Sequence, residues 1–160
     1  MLKLFSTDRS MVSLVQRVVL AAVMFPHGAQ KLLGWFGGYG FDGTMGFLTG
    51  QAGLPAPLAV LVILAESLGA VALAFGLLSR VTAAGIASVM IGAVLTSHLS
   101  NGFFMNWAGS QAGEGFEYHL LALALAVPLI FKGGGAFAVD RWIAARLGAG
   151  RPAATPALAR

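Results

Sequence analysis

Apolar residues run almost unbroken through four stretches of the chain, residues 12–33, 57–78, 81–99 and 116–131. A helix that crosses a bilayer needs about 20 predominantly apolar residues. The first three stretches meet that length. The fourth is the weakest, because its purely apolar part, 120–131, is short enough to be re-entrant. Pro55 and Pro57 open the second stretch, where a helix start tolerates proline. The pattern predicts an all-α integral membrane protein, a four-transmembrane-helix antiparallel bundle over residues 12–147, preceded by a cytoplasmic segment, 1–11. After Gly133, Gly134 and Gly135, Trp142, Ile143 and Leu147 alternate with Arg141 and Arg146 at helical spacing. That predicts a short C-terminal helix over 138–147 lying in the membrane interface, held by apolar contact and anionic lipid. Residues 148–160, rich in Ala and Pro, are expected to be disordered.

Charge orients the bundle. Charged residues make up only 10% of the chain against 58% hydrophobic, too few to build a water-facing surface. With four spans, Lys3, Arg9, Arg80, Lys132, Arg141, Arg146, Arg151 and Arg160 share one side and Lys31 alone marks the other. The positive-inside rule then places both termini in the cytoplasm. The same distribution argues against nucleic acid as a partner, because the basic residues flank apolar runs and form no basic face. There is no cysteine, so thiol and iron–sulfur chemistry is absent from this chain. The first apolar run is too long for a signal peptide and lacks a small-x-small cleavage site. The loop 34–56 holds eight glycines among Trp35, Phe36, Tyr39, Phe41 and Phe47, and the loop 100–115 carries Phe103, Phe104 and Trp107. Interfacial anchoring accounts for such aromatics; a flexible lid over a polar cavity is the functional alternative.

Ionisable side chains inside a span cost about 2.5–3.5 kcal/mol each at mid-membrane and therefore need protein or water around them. In the first helix Ser13, Gln16, Arg17, His27, Gln30 and Lys31 fall within about 140° of one another, so one face is polar along the whole span. In the second, Glu66 lies roughly 14 Å below the outer end, too deep for a short side chain to reach water. Ala59, Gly69 and Ala70 share its face and allow another helix to come close. Glu66 is expected to form a structural ion pair with Arg17. His98 ends the third helix; Glu117 and His119 open the fourth, where their i, i+2 spacing points them about 160° apart. No His-x-x-x-His or Glu-x-x-His pair exists, and no metal site is expected.

Several motifs resemble the DoxX family. Phe25-Pro26-His27-Gly28-Ala29-Gln30-Lys31-Leu32, with the following Gly34-Trp35-Phe36-Gly37-Gly38-Tyr39-Gly40, is similar to its first-helix signature. Ala65-Glu66-Ser67-Leu68-Gly69, Asn101-Gly102-Phe103-Phe104, Gly115-Phe116-Glu117-Tyr118 and the triple glycine before Val139-Asp140 extend the likeness over residues 12–140. The resemblance implies a four-span protein of the bacterial inner membrane. Some family members are subunits of thiosulfate:quinone oxidoreductases and others accompany membrane redox complexes, though the fold also occurs in distant eukaryotic cargo receptors. It implies no agreed catalytic residue.

The combined expectation is a redox-associated, quinone-linked subunit with no covalent cofactor, whose partners are the lipid bilayer, a lipophilic small molecule and other redox proteins. A quinone or similar ring would lie in an outer-half pocket bounded by His27, Lys31, Glu66, His98 and Glu117, with Gln30 nearby and Phe36 or Phe103 against the ring. Glu66 and His27 are the candidates for proton exchange; Lys31, Gln30, His98 and Glu117 would bind the ligand. The alternative is a non-catalytic membrane subunit or chaperone-like partner. A small transporter fits the polar stripe but lacks broken helices.

Overall fold

The computed structural model describes residues 2–148, and every regular element among them is helical. After a 3-10 turn, Leu2–Phe5, come α1 (Met11–Leu33), α2 (Gly40–Gly50), α3 (Ala56–Glu66), α4 (Leu68–Phe75), α5 (Ser79–Ala93), α6 (Glu117–Lys132) and α7 (Val139–Arg146). Three helical segments are long and apolar enough to cross a membrane: Met11–Leu33, Ala56–Phe75 and Ser79–Asn101. The 16-residue α6 packs beside α1 and α5 to complete a bundle of four rods. At 1.5 Å per residue it is about 24 Å long, short of the hydrocarbon thickness. The tail expected over 148–160 lies, from residue 149, outside the described residues.

The bundle core is apolar and small-residue rich. Leu20, Met24, Leu73, Ile86 and Leu129 fill it, while Ala21, Ala70, Ala83 and Ala126 let the helices approach. Lipid-facing positions of α1 such as Val12, Val15 and Val18 remain exposed, as expected where the solvent is hydrocarbon.

Four local features depart from the sequence pattern. The second rod has a local break in regular geometry at Ser67 (φ −92°, ψ −80°), between α3 and α4, while helical bonds still run through it from Ser67 N–H to Ile63 and from Val71 N–H to Ser67. The Ser67 hydroxyl donates back to the Ile63 carbonyl at 2.6 Å. The third rod ends in a π-helical turn, Val94–His98, and a 3-10 turn, Leu99–Asn101. Its hairpin turn lies at residues 76–78, with Gly76 and Leu78 both at positive φ, and Ser79 and Arg80 already belong to α5. The glycine-rich loop 34–56 is not all loop either: Gly40–Gly50 forms α2, whose Leu48 packs on Ala59 and Ile63 of α3.

Candidate functional site

The end of the bundle that carries the N-terminal segment, the inner end, is closed by a dense polar clasp. Arg17 is 2% exposed. It donates to the carbonyls of Ala74 at 2.8 Å, Leu73 at 3.4 Å and Ala136 at 3.2 Å. The Leu73 carbonyl also accepts from the Gly76 N–H, whereas the end of α4 and the turn after α6 leave those of Ala74 and Ala136 to Arg17. Asp140 is 1% exposed and accepts from the backbone N–H groups of Leu78 and Ser79 at 2.7 and 2.8 Å. It thereby caps α5 and holds Leu78 at φ 50°. Arg80 donates to the carbonyls of Ser6 and Ile130. The expected Arg17–Glu66 pair is therefore not formed. The nearby carbonyls at the negative end of the α4 dipole offer a cation a closer site than a carboxylate higher in the span.

Glu66 pairs instead with Lys31, at 2.5 Å, with side-chain exposures of 5% and 28%. Gly28 makes that pair possible. A Cβ on Gly28 would lie 2.2 Å from the Glu66 carbonyl oxygen and 2.5 Å from the Ser67 Cα, so only glycine lets α1 touch the break in the second rod. One turn above that contact, Lys31 reaches Glu66.

The pair faces a cavity of about 800 Å3 between the second and third rods. α1 contributes Met24, His27 and Lys31, and α6 contributes Tyr118 and His119. Phe47 and Leu48 of α2, with Met105 and Glu114 of the third loop, cover its outer end. The rest of the wall is mostly apolar, with Thr82, Ser88, Thr96 and Ser97 among its members, and runs down the third rod from Thr96 to Val81, about 22 Å at helical rise. Exposed Leu61, Leu64 and Val81 line it, so it opens sideways between the helices.

At the outer end four rings form a row. His27 lies 5.7 Å from Tyr118, Tyr118 lies 5.4 Å from His119, and His119 lies 4.2 Å from His98, centre to centre. The third loop fixes the far end of this row. The Gly115 and Phe116 amides donate to the Phe104 and Gly102 carbonyls, and the Glu117 amide donates to Phe103. A Cβ on Gly115 would lie 2.4 Å from the Phe104 carbonyl. The loop so closed presents the Glu114 carbonyl to His98 Nδ1 at 2.8 Å and to Asn101 Nδ2 at 3.0 Å. A carbonyl only accepts, so His98 carries its proton on Nδ1.

Four of the expected ligand groups, His27, Lys31, Glu66 and His98, thus line one cavity. Two do not. Glu117 turns outward and accepts from Trp107 Nε1 at 3.2 Å, and Gln30 donates to the Phe36 carbonyl. Phe36 and Phe103 are exposed and off the cavity wall, where Tyr118 takes the position expected of them. His119, absent from the expected site, is 6% exposed and lines the cavity. Ala122, Ala126 and Leu129 follow it on the buried face of α6, and that run of small residues was a legible signal. Among the described residues no three His, Cys, Asp or Glu side chains stand close enough to hold a metal ion.

The fold and site define a small helical membrane protein with a laterally open, polar-ended cavity. The DoxX family model matches residues 12–99, and the chain belongs to the DoxX family. It is also 29% identical over 131 residues to the Bacillus subtilis (strain 168) protein named "Putative oxidoreductase CatD", covering 82% of this chain and 86% of the relative. No solved structure matches it.

Proposed function

We propose that this membrane protein is a redox-associated subunit that binds a quinone or similar lipophilic ring in the outer cavity. The observation that carries the reading is one lateral, mostly apolar cavity with the Lys31–Glu66 pair at its outer end. An amphiphile would lay its tail in the groove toward Val81 and its polar ring against that pair. Lys31 donates to a ring oxygen, Tyr118 packs on the ring, and His27 with Glu66 exchanges the proton that the ring takes up when a partner protein reduces it. The oxidoreductase name of the Bacillus relative points to the same class. With α6 taken as a fourth span, the cavity lies on the outer side. Arg9, Arg80, Lys132, Arg141 and Arg146 then lie on the cytoplasmic side of a bacterial inner membrane. There α7 rests on the lipid through exposed Phe137 and Trp142, over whose ring Arg146 sits at 4.6 Å. A reporter fused to the C-terminus is expected to be active only in the cytoplasm.

The test is quinone titration of the purified protein, of His27→Ala and of Glu66→Gln, with folding checked in each. Glu66→Gln should weaken binding by about tenfold, which is about 1.4 kcal/mol, and His27→Ala by less. Unchanged affinity in both variants would leave the non-catalytic subunit or chaperone-like partner as the better reading.

A further inference from the structure

We infer that the cavity has two polar poles, and that His119, backed by His98, holds the far oxygen of a ligand bearing oxygens on opposite edges of one ring. The inference rests on the ring-binding reading and narrows its substrate class to para-dioxygenated rings. Among the described residues His119 makes no side-chain hydrogen bond; its Nδ1 is enclosed without a partner, which leaves Nε2 as the nitrogen that can reach the cavity. A neutral imidazole carries one donor and one acceptor, and a buried polar group left unpaired calls for an explanation. The neighbours do not supply one. His98 has committed its Nδ1 proton to Glu114, and the Tyr118 hydroxyl is turned to Met24 Sδ at 3.5 Å. The open side of His119 is the cavity.

The row of rings offers polar groups on both sides of Tyr118 for two oxygens. The His27 and His119 ring centres are each within 5.7 Å of the Tyr118 ring centre, which bounds their separation at about 11 Å. Para oxygens on a six-membered ring stand roughly 5 Å apart, and each hydrogen bond adds about 2.8 Å. One oxygen then meets Lys31 and His27 while the other meets His119, with Tyr118 along the ring between them. A single-oxygen analogue goes to the charged pole, where the hydrogen bond is stronger, and leaves His119 unpaired. A site built to bond a polar group discriminates against the analogue that lacks it.

The experiment compares a short-tailed 1,4-naphthoquinone with its matched single-ketone analogue on the full chain in nanodiscs. Wild type should prefer the quinone by about tenfold or more. His119→Phe should lower quinone affinity to the ketone level and leave the ketone unchanged, while His119→Gln should keep part of the preference. Glu66→Gln should weaken both probes together, because both use that pole. Equal affinity of wild type for the two probes, or a preference that survives in His119→Phe, overturns the second pole and leaves ring binding standing. Wild type that binds neither probe overturns both readings. The wild-type preference alone decides the matter if the variants do not fold.

Discussion

The two ends of the bundle spend their polar groups in opposite ways. At the inner end Arg17, Arg80 and Asp140 reach backbone groups from three separate parts of the chain, and the turns between rods are short. Toward the outer end the second rod is distorted at Ser67, the third is unwound after Ala93, long loops join the rods, and a buried histidine stands unpaired beside open space. Backbone irregularity at membrane depth is tolerated where it is buried in protein or lines a cavity, and here both irregularities flank the same cavity. π-helical turns likewise concentrate at functional positions. On the proposed reading the inner end is the foundation of the fold and the outer end is where the ring binds. Substitutions at the two ends should separate stability from affinity.

Arg17→Leu should have the largest effect. It leaves the Ala74 and Ala136 carbonyls without their donor, and a stranded buried polar group costs about 1–3 kcal/mol. A loss of at least about 3 kcal/mol is expected in detergent unfolding. A variant as stable as wild type would deny the clasp its role. Gly28→Leu comes next. Its side chain cannot fit against the Glu66 backbone, and overpacking costs about 1–3 kcal/mol. This position joins the two ends of the comparison, so ligand affinity should fall together with stability. Asp140→Ala removes the cap of α5 and should cost about 1–2 kcal/mol while the ligand affinity of the folded fraction stays constant. Weakened binding there would mean that the inner end reaches the site. Glu117→Gln is expected to do least, within about 0.5 kcal/mol in stability and with no change in quinone titration, because its carboxylate faces Trp107.

The positions of the rods were legible because bilayer thickness sets a length that hydrophobic runs must meet. The polar stripe of α1 was legible as well, and it supplies Arg17 to the interior and His27 and Lys31 to the cavity wall. The pairing was not. Depth counting let Arg17 climb to Glu66, and the structure gives that place to Lys31. Such counting ignores the free carbonyls at a helix end, and it cannot see that Gly28 brings α1 against the broken rod. At the start of α6 the i, i+2 rule rightly placed Glu117 and His119 on opposite faces, yet charge alone favoured the wrong one. Ala122 and Ala126 mark the His119 face as the packed one. α2 was hidden by its four glycines at positions 40, 43, 46 and 50; packing of Leu48 on α3 outweighs their poor helix propensity.

Photolabelling tests the central claim most directly: an azido-quinone is activated in nanodiscs and the labelled residues are mapped by mass spectrometry. Label should concentrate on Tyr118, Leu64 and Val89 of the cavity wall and be displaced by excess unlabelled quinone. Label spread over the lipid-facing Val15 and Val18 of α1, undiminished by competitor, would contradict the account.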